Sequence, residues 1–168
     1  MTDTRSAAVS IGPEAREALV QELQELSLSL RGQQLATKVA HWNVKGQNFL
    51  EIHELLDQVA SHLEEGVDLL AERAVQLGGS ARGTAAEVAE VWEAPGGGSP
   101  SESAGERTSS RWIGWVADGL RKVTARLYAG IELAAKSGDP VTADLLTQLA
   151  RQADKDLWFL AAHLETAD

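Results

Sequence analysis

The stretch AHWNVKGQNFLEIHELLD, residues 40–57, holds two of the chain's four histidines, with an aspartate four positions after the second. Imidazole nitrogens and carboxylate oxygens are donors that first-row divalent metals accept. If the residues from about 49 onward form one continuous helix, each turns about 100° from the last. Relative to His53, Asp57 then lies at about 40°, Asp68 at about 60° and Glu72 at about 100°. His62, on the same helix, lies at about 180°, on the opposite side. Four metal-competent side chains therefore share one stripe. His41, at the end of the preceding helix, could join the first pair.

The two pairs cannot hold one ion within one chain. The midpoint of His53 and Asp57 is about 22 Å along the axis from that of Asp68 and Glu72, at about 1.5 Å per residue. Two copies of the helix packed antiparallel about a two-fold axis near residues 62–63 would bring them together. His53 and Asp57 of one copy would face Asp68 and Glu72 of the other, and symmetry would make two such sites. Two imidazoles and three carboxylates suit ferrous iron, and zinc or manganese would also be accepted. The competing reading needs no metal: acids on a helix mark a solvated face, and a histidine four residues before an aspartate is often a surface pair.

Four helix-length stretches must position these residues. The first opens at Gly12-Pro13-Glu14, with proline at the first helical position, carries Leu19, Leu23, Leu26, Leu30 and Leu35, and runs out near Lys45-Gly46. The second spans about Phe49 to Leu77 and stops at Gly78-Gly79. The third runs from about Ser109 to Lys136, and the fourth from Asp139-Pro140 to about Leu164. A long connection joins the middle pair. VAEVWEA within it could form a short helix, and PGGGSPSESAG is too rich in glycine, serine and proline to order itself. A flexible loop is expected over about 94–106, and a short tail over 1–12. Two short links and one long crossover describe an all-α, ferritin-like four-helix bundle, a single domain over 1–168. The Glu-x-x-His pattern of an intrachain di-iron centre is missing: Lys38, Leu50, Val59 and Leu160 stand three residues before the four histidines.

Composition removes other chemistries. There is no cysteine, so disulfides, thiolate catalysis and cysteine-held metals are excluded. No apolar run is long enough to span a membrane and the first residues lack a signal-peptide core, so a cytoplasmic protein is expected. The formal charge of −10 draws cations and repels phosphate backbones.

AHWNVKGQNFLEIHELLD, VDLLAERAVQLGG and TADLLTQLARQADKDLWFLAAHLE together resemble the Dps family, the ferritin-like mini-ferritins of stressed bacteria. The likeness runs from about Glu14 to Glu165. It implies a hollow homo-dodecameric shell with ferroxidase sites at two-fold interfaces. His41, His53 and Asp57 of one subunit would join Asp68 and Glu72 of its mate around a dinuclear iron site. It implies oxidation of Fe(II), with hydrogen peroxide preferred over dioxygen, and storage of the ferric mineral inside the shell. Trp42 would be a redox neighbour of the site or else a core aromatic, and Trp158 a packing residue. Asp139 and Asp144 would line acidic pores, although Asp139 also suits the role of helix cap. Many relatives compact DNA through basic tails. This chain departs from that pattern: MTDTRSAAVSIG carries one arginine and the chain ends LETAD, so weak or absent DNA binding is expected. Arg107 and Arg111 could form a patch, and a nucleoid-associated, DNA-compacting protein with a secondary metal site is the alternative reading.

Overall fold

The computed structural model describes residues 11–100 and 109–165. In order they form α1 (Pro13–Asn43), α2 (Phe49–Gln76), the short α3 (Ala85–Val91), a single 3₁₀ turn (Pro95–Gly97), α4 (Ser109–Lys136) and α5 (Pro140–Glu165). There is no strand among the described residues.

α1 and α2 form one antiparallel hairpin and α4 and α5 a second; α1 packs on α4, and α2 on α5. Each helix turns an apolar stripe inward. Leu19, Leu23, Leu26 and Leu30 of α1 meet Leu56, Leu63 and Leu70 of α2, Ile113, Leu120 and Leu127 of α4, and Leu146 and Leu160 of α5, all buried. Burying a leucine or isoleucine side chain stabilises by about 1.5–3 kcal/mol, so this stripe holds the bundle. Leu35 breaks the expected pattern. It is 54% exposed, because the stripe on α1 turns to Ala36 and Ala40 as the helix nears its end.

The hairpin turns are set by backbone chemistry. α2 and α4 end alike: Gly78 (φ 91°) and Gly138 (φ 73°) take the left-handed conformation that only glycine adopts cheaply. The next amides, of Gly79 and Asp139, reach back to Ala74 O and Ala134 O at 3.0 Å, closing the last turn. The described part of the long crossover, up to residue 100, is more ordered than its composition suggests. Thr84 and Glu87 exchange hydrogen bonds as a capping box, which starts α3 earlier than VAEVWEA indicates. The Thr84 amide, with Arg82 and the Thr84 hydroxyl behind it, holds the Glu87 carboxyl down to about 2. Trp92 then leaves the helix and lies over Gly32, where any Cβ would collide with its ring. Pro95, expected to be loose, is buried, and its carbonyl accepts from Trp115 Nε1 at 2.9 Å. The rest of the expected flexible loop falls partly outside the described residues, as do the tail before Ile11 and Arg107.

The far end of the bundle is closed by a buried ion pair. Arg73 of α2 gives Nη2 to both oxygens of Asp139, at 3.0 and 2.8 Å, and Nε to Thr142 Oγ1 at 2.9 Å. Asp139 also accepts the Thr142 amide at 3.1 Å, as the cap of α5. Burial pushes the Asp139 carboxyl up, but the bonds from Thr142 and Arg73 outweigh it and hold it low. Its stabilisation is therefore complete above the ordinary carboxylate range and is lost as pH falls through the lowered value. Asp139→Ala should lower the unfolding free energy by about 3–5 kcal/mol, since it strands the Arg73 charge. The deficit, read by urea unfolding, should shrink as pH is lowered below about 4. A deficit independent of pH would show that the pair does not carry it.

Candidate metal centre

His41 lies in the last turn of α1 and His53 in the second turn of α2, and the hairpin brings them face to face. Their rings stack with centroids 3.6 Å apart and planes 23° from parallel. Each is fixed by the other's backbone: His41 Nδ1 lies 2.8 Å from His53 O, and His53 Nδ1 lies 2.9 Å from His41 O. A carbonyl can only accept, so both Nδ1 atoms carry the proton. In the neutral ring both Nε2 atoms then keep a lone pair, the form a metal requires. His41 is buried and His53 half-buried, with the Phe49 ring 5.1 Å from that of His53.

Asp57 follows one turn after His53 and is exposed. Lys38 Nζ lies 2.5 Å from its Oδ1. The hydrogen bond from Lys38 is the main reason the Asp57 carboxyl is held low, with the charges of Lys38, His41 and His53 adding to it. Sequence reasoning did not select Lys38. The signal was present, because Lys38 stands three residues before His41 and so on its face of α1.

Asp68 and Glu72 are exposed, further along the face of α2 that carries Asp57. The chain does not bring them to the histidines. Among the described residues, no three histidine, aspartate or glutamate side chains stand close enough to hold one ion. One subunit thus presents two separate halves: a histidine pair with Asp57, and a carboxylate pair.

The remaining candidates are sorted by burial. Asp139 is 2% exposed and bound by Arg73, so it cannot line an aqueous pore; its competing role as helix cap is the one it fills. Asp144 is exposed near the start of α5. Trp42 is 66% exposed beside His41, so it is not a core aromatic of this subunit. Trp158, expected to pack, is also 66% exposed, because the apolar stripe of α5 runs through Ala153 and Leu160 instead. His62 faces the bundle interior rather than the stripe. No helix among the described residues is long and apolar enough to cross a membrane.

Known proteins are similar to this chain in sequence and in fold. A family model described as a ferritin-like domain matches residues 33–168. The DNA protection during starvation protein of Agrobacterium fabrum is 35% identical over 153 residues, covering 90% of either chain. That of Brevibacillus brevis is 33% identical, covering 85% of this chain and 97% of its own. Among solved structures, Dps from Microbacterium arborescens in its high iron form superposes with a TM-score of 0.83 at 32% identity, covering 94% of this chain and 99% of that one. Antigen TpF1 of Treponema pallidum superposes with a TM-score of 0.82 at 28% identity, over 96% and 100%. With its bundle, its crossover and this breadth of likeness, the chain belongs to the ferritin-like family, as one of the Dps proteins.

Proposed function

We propose that this protein is an iron-storing ferroxidase that assembles as a hollow homo-dodecamer and protects its cell from peroxide. The family supports the coarser role, iron storage and protection. The observation that carries the finer reading is the reciprocal locking of His41 and His53, which holds both Nε2 lone pairs ready for a metal. Asp57 supplies a carboxylate on the same side. Asp68 and Glu72 of a two-fold neighbour complete the site, because the chain itself leaves it in halves.

Iron is substrate here. Two ferrous ions give one electron each to hydrogen peroxide, two protons are taken up, and two ferric ions and two waters result. Pairing the electrons avoids the one-electron step that would release hydroxyl radical. The carboxylates favour the ferric product, the harder acid. The protein acts as a template and as charge compensation. Dioxygen is the alternative oxidant, and zinc or manganese alternative occupants. Trp42, exposed beside His41, is placed to intercept stray oxidising equivalents or to pack against the neighbour. Asp144 remains the acidic residue for cation entry.

DNA compaction is the second reading, and the names of the relatives favour it. The charge of −10 opposes it, since non-specific affinity for DNA comes from neutralised phosphates. Gel shifts should therefore show little binding at physiological salt, and tight binding with a steep salt dependence would reverse the ranking.

Purified protein loaded with Fe(II) without oxygen and then given peroxide should oxidise iron faster than buffer, with the iron eluting in a large assembly. Iron precipitating outside the protein would overturn the storage reading. Sharing of the site is tested by mixing. His53→Ala and Asp68→Ala chains should each be inactive alone. Co-assembled at random, they should recover about a quarter of native activity, because half the dimers are mixed and each regains one of two sites. No recovery in any mixture would sink the shared site. Lys38 competes with iron for Asp57. Its half-exposed pair contributes about 0.2–1 kcal/mol, so Lys38→Met should tighten Fe(II) binding by about 1.5-fold to 5-fold, read by anaerobic titration. Weaker binding would show that Lys38 positions Asp57 instead.

A further inference from the structure

α2 has a second polar position, on the face turned to the bundle. His62 Nδ1 lies 3.0 Å from Oδ2 and 3.2 Å from Oδ1 of Asp156 on α5. Gln152, one turn earlier on α5, places Nε2 at 3.1 Å from His62 Nδ1 and 3.0 Å from Asp156 Oδ1. Asp156 is 3% exposed. Burial pushes its carboxyl up, against the opposing pull of His62. A carboxylate so far from water needs a strong partner.

Protons satisfy this triangle only if Asp156 is neutral. If His62 Nδ1 and the Gln152 amide both donate to Asp156, two donors face each other along the third edge. If the amide turns, its oxygen faces a carboxylate oxygen. If His62 takes the other tautomer, its single lone pair must serve Gln152 and a protonated Asp156 at once. One assignment pairs every edge, a neutral Asp156 donating to the turned amide with His62 Nδ1–H shared between them; an ionised Asp156 leaves one edge unpaired.

A cation above the triangle satisfies all three edges. Six-coordinate divalent ions with bonds near 2.1 Å hold neighbouring donors about 3.0 Å apart. The observed edges are 3.0, 3.1 and 3.2 Å. A half-turn of the Gln152 amide puts Oε1 where Nε2 stands, giving one face of an octahedron built from imidazole, amide and carboxylate. Room for further ligands adjoins it. A void of about 20 Å³ lies against His62, Gln152 and Asp156, otherwise walled by leucine, valine and alanine. That is enough for one water. On the other side a groove of about 310 Å³, lined by His62, Glu65, Arg151, Gln152 and Lys155, leads to the surface.

We propose that His62, Gln152 and Asp156 hold one divalent first-row cation inside each subunit, pinning α2 to α5. The site is complete within one chain and is independent of the shared site above. Its donors select Mn²⁺, Fe²⁺, Co²⁺ or Zn²⁺ over softer ions.

Cobalt(II) is the probe. Chelator-stripped, full-length His53→Ala/Asp68→Ala protein, with the shared site disabled, should still bind one Co²⁺ per chain by equilibrium dialysis, with a visible ligand-field band. Adding Asp156→Asn or His62→Gln should weaken that binding at least about tenfold. No binding, or binding unmoved by both substitutions, would overturn the site. Crystals of the unsubstituted protein soaked in Co²⁺ decide the matter should either variant fail to fold. An anomalous peak about 2.1 Å from His62 Nδ1 is expected, and its absence at saturating cobalt refutes the proposal.

Discussion

Each of two imidazoles donates its Nδ1 proton to the backbone carbonyl of the other's residue, and much of the chain is arranged around that exchange. The carbonyl of His41 is among the last four of α1, which have no partner inside the helix. His53 supplies one, so the same bond that orients the ring also caps the helix. For the two residues to meet, the chain must reverse between Asn43 and Phe49. Gly46 (φ 97°) and Asn48 (φ 58°) take the positive φ that this reversal needs, and asparagine is among the few non-glycine residues that tolerate it. Ser109 Oγ bonds to Lys45 O at 2.8 Å and ties the same turn to the start of α4. A mutation in this turn would thus act on helix stability and on the geometry of the two histidines together.

The helices were legible because their apolar spacing and their stops are local. α4 begins and ends at the residues its pattern indicates, and Pro13 and Gly78 mark their ends of α1 and α2. What failed was local reasoning about side chains whose surroundings are set by other helices. Trp158 sits in an apolar-looking run, yet the register of α5 against α4 turns it outward. Asp139 reads as a pore acid or a cap from its own sequence, and Arg73, sixty-six residues away, decides between them. The looseness expected at Pro95 ignored Trp115, whose indole N–H holds the Pro95 carbonyl. In each case the deciding atom lies on another element.

The placement of the acidic stripe along α2 was legible for the opposite reason. His53, Asp57, Asp68 and Glu72 lie on one long helix, where rotation per residue fixes the face and rise per residue fixes the separation. Neither depends on tertiary packing. Lys38 and the exchange between the histidines were beyond reach, because both need the crossing of α1 and α2. α2 therefore works on two sides. The stripe with Asp57, Asp68 and Glu72 is exposed, while His62 looks toward α5.

The placement of cations completes the electrostatics. Arg73 is consumed by Asp139, Arg126 by Glu25 and Glu22, Arg82 by Glu87, Arg31 by Glu64, and Lys38 by Asp57. With fifteen Lys and Arg against twenty-five Asp and Glu, that pairing leaves an excess of unmatched acids, Asp68, Glu72 and Asp144 among the exposed ones. Exposed pairs contribute little to stability, so their main effect is on the field. Part of the positive charge is neutralised close to where it arises, and the net charge that remains is negative. An acidic surface attracts cations and repels phosphate backbones in general, and this charge distribution thereby favours the storage reading over compaction.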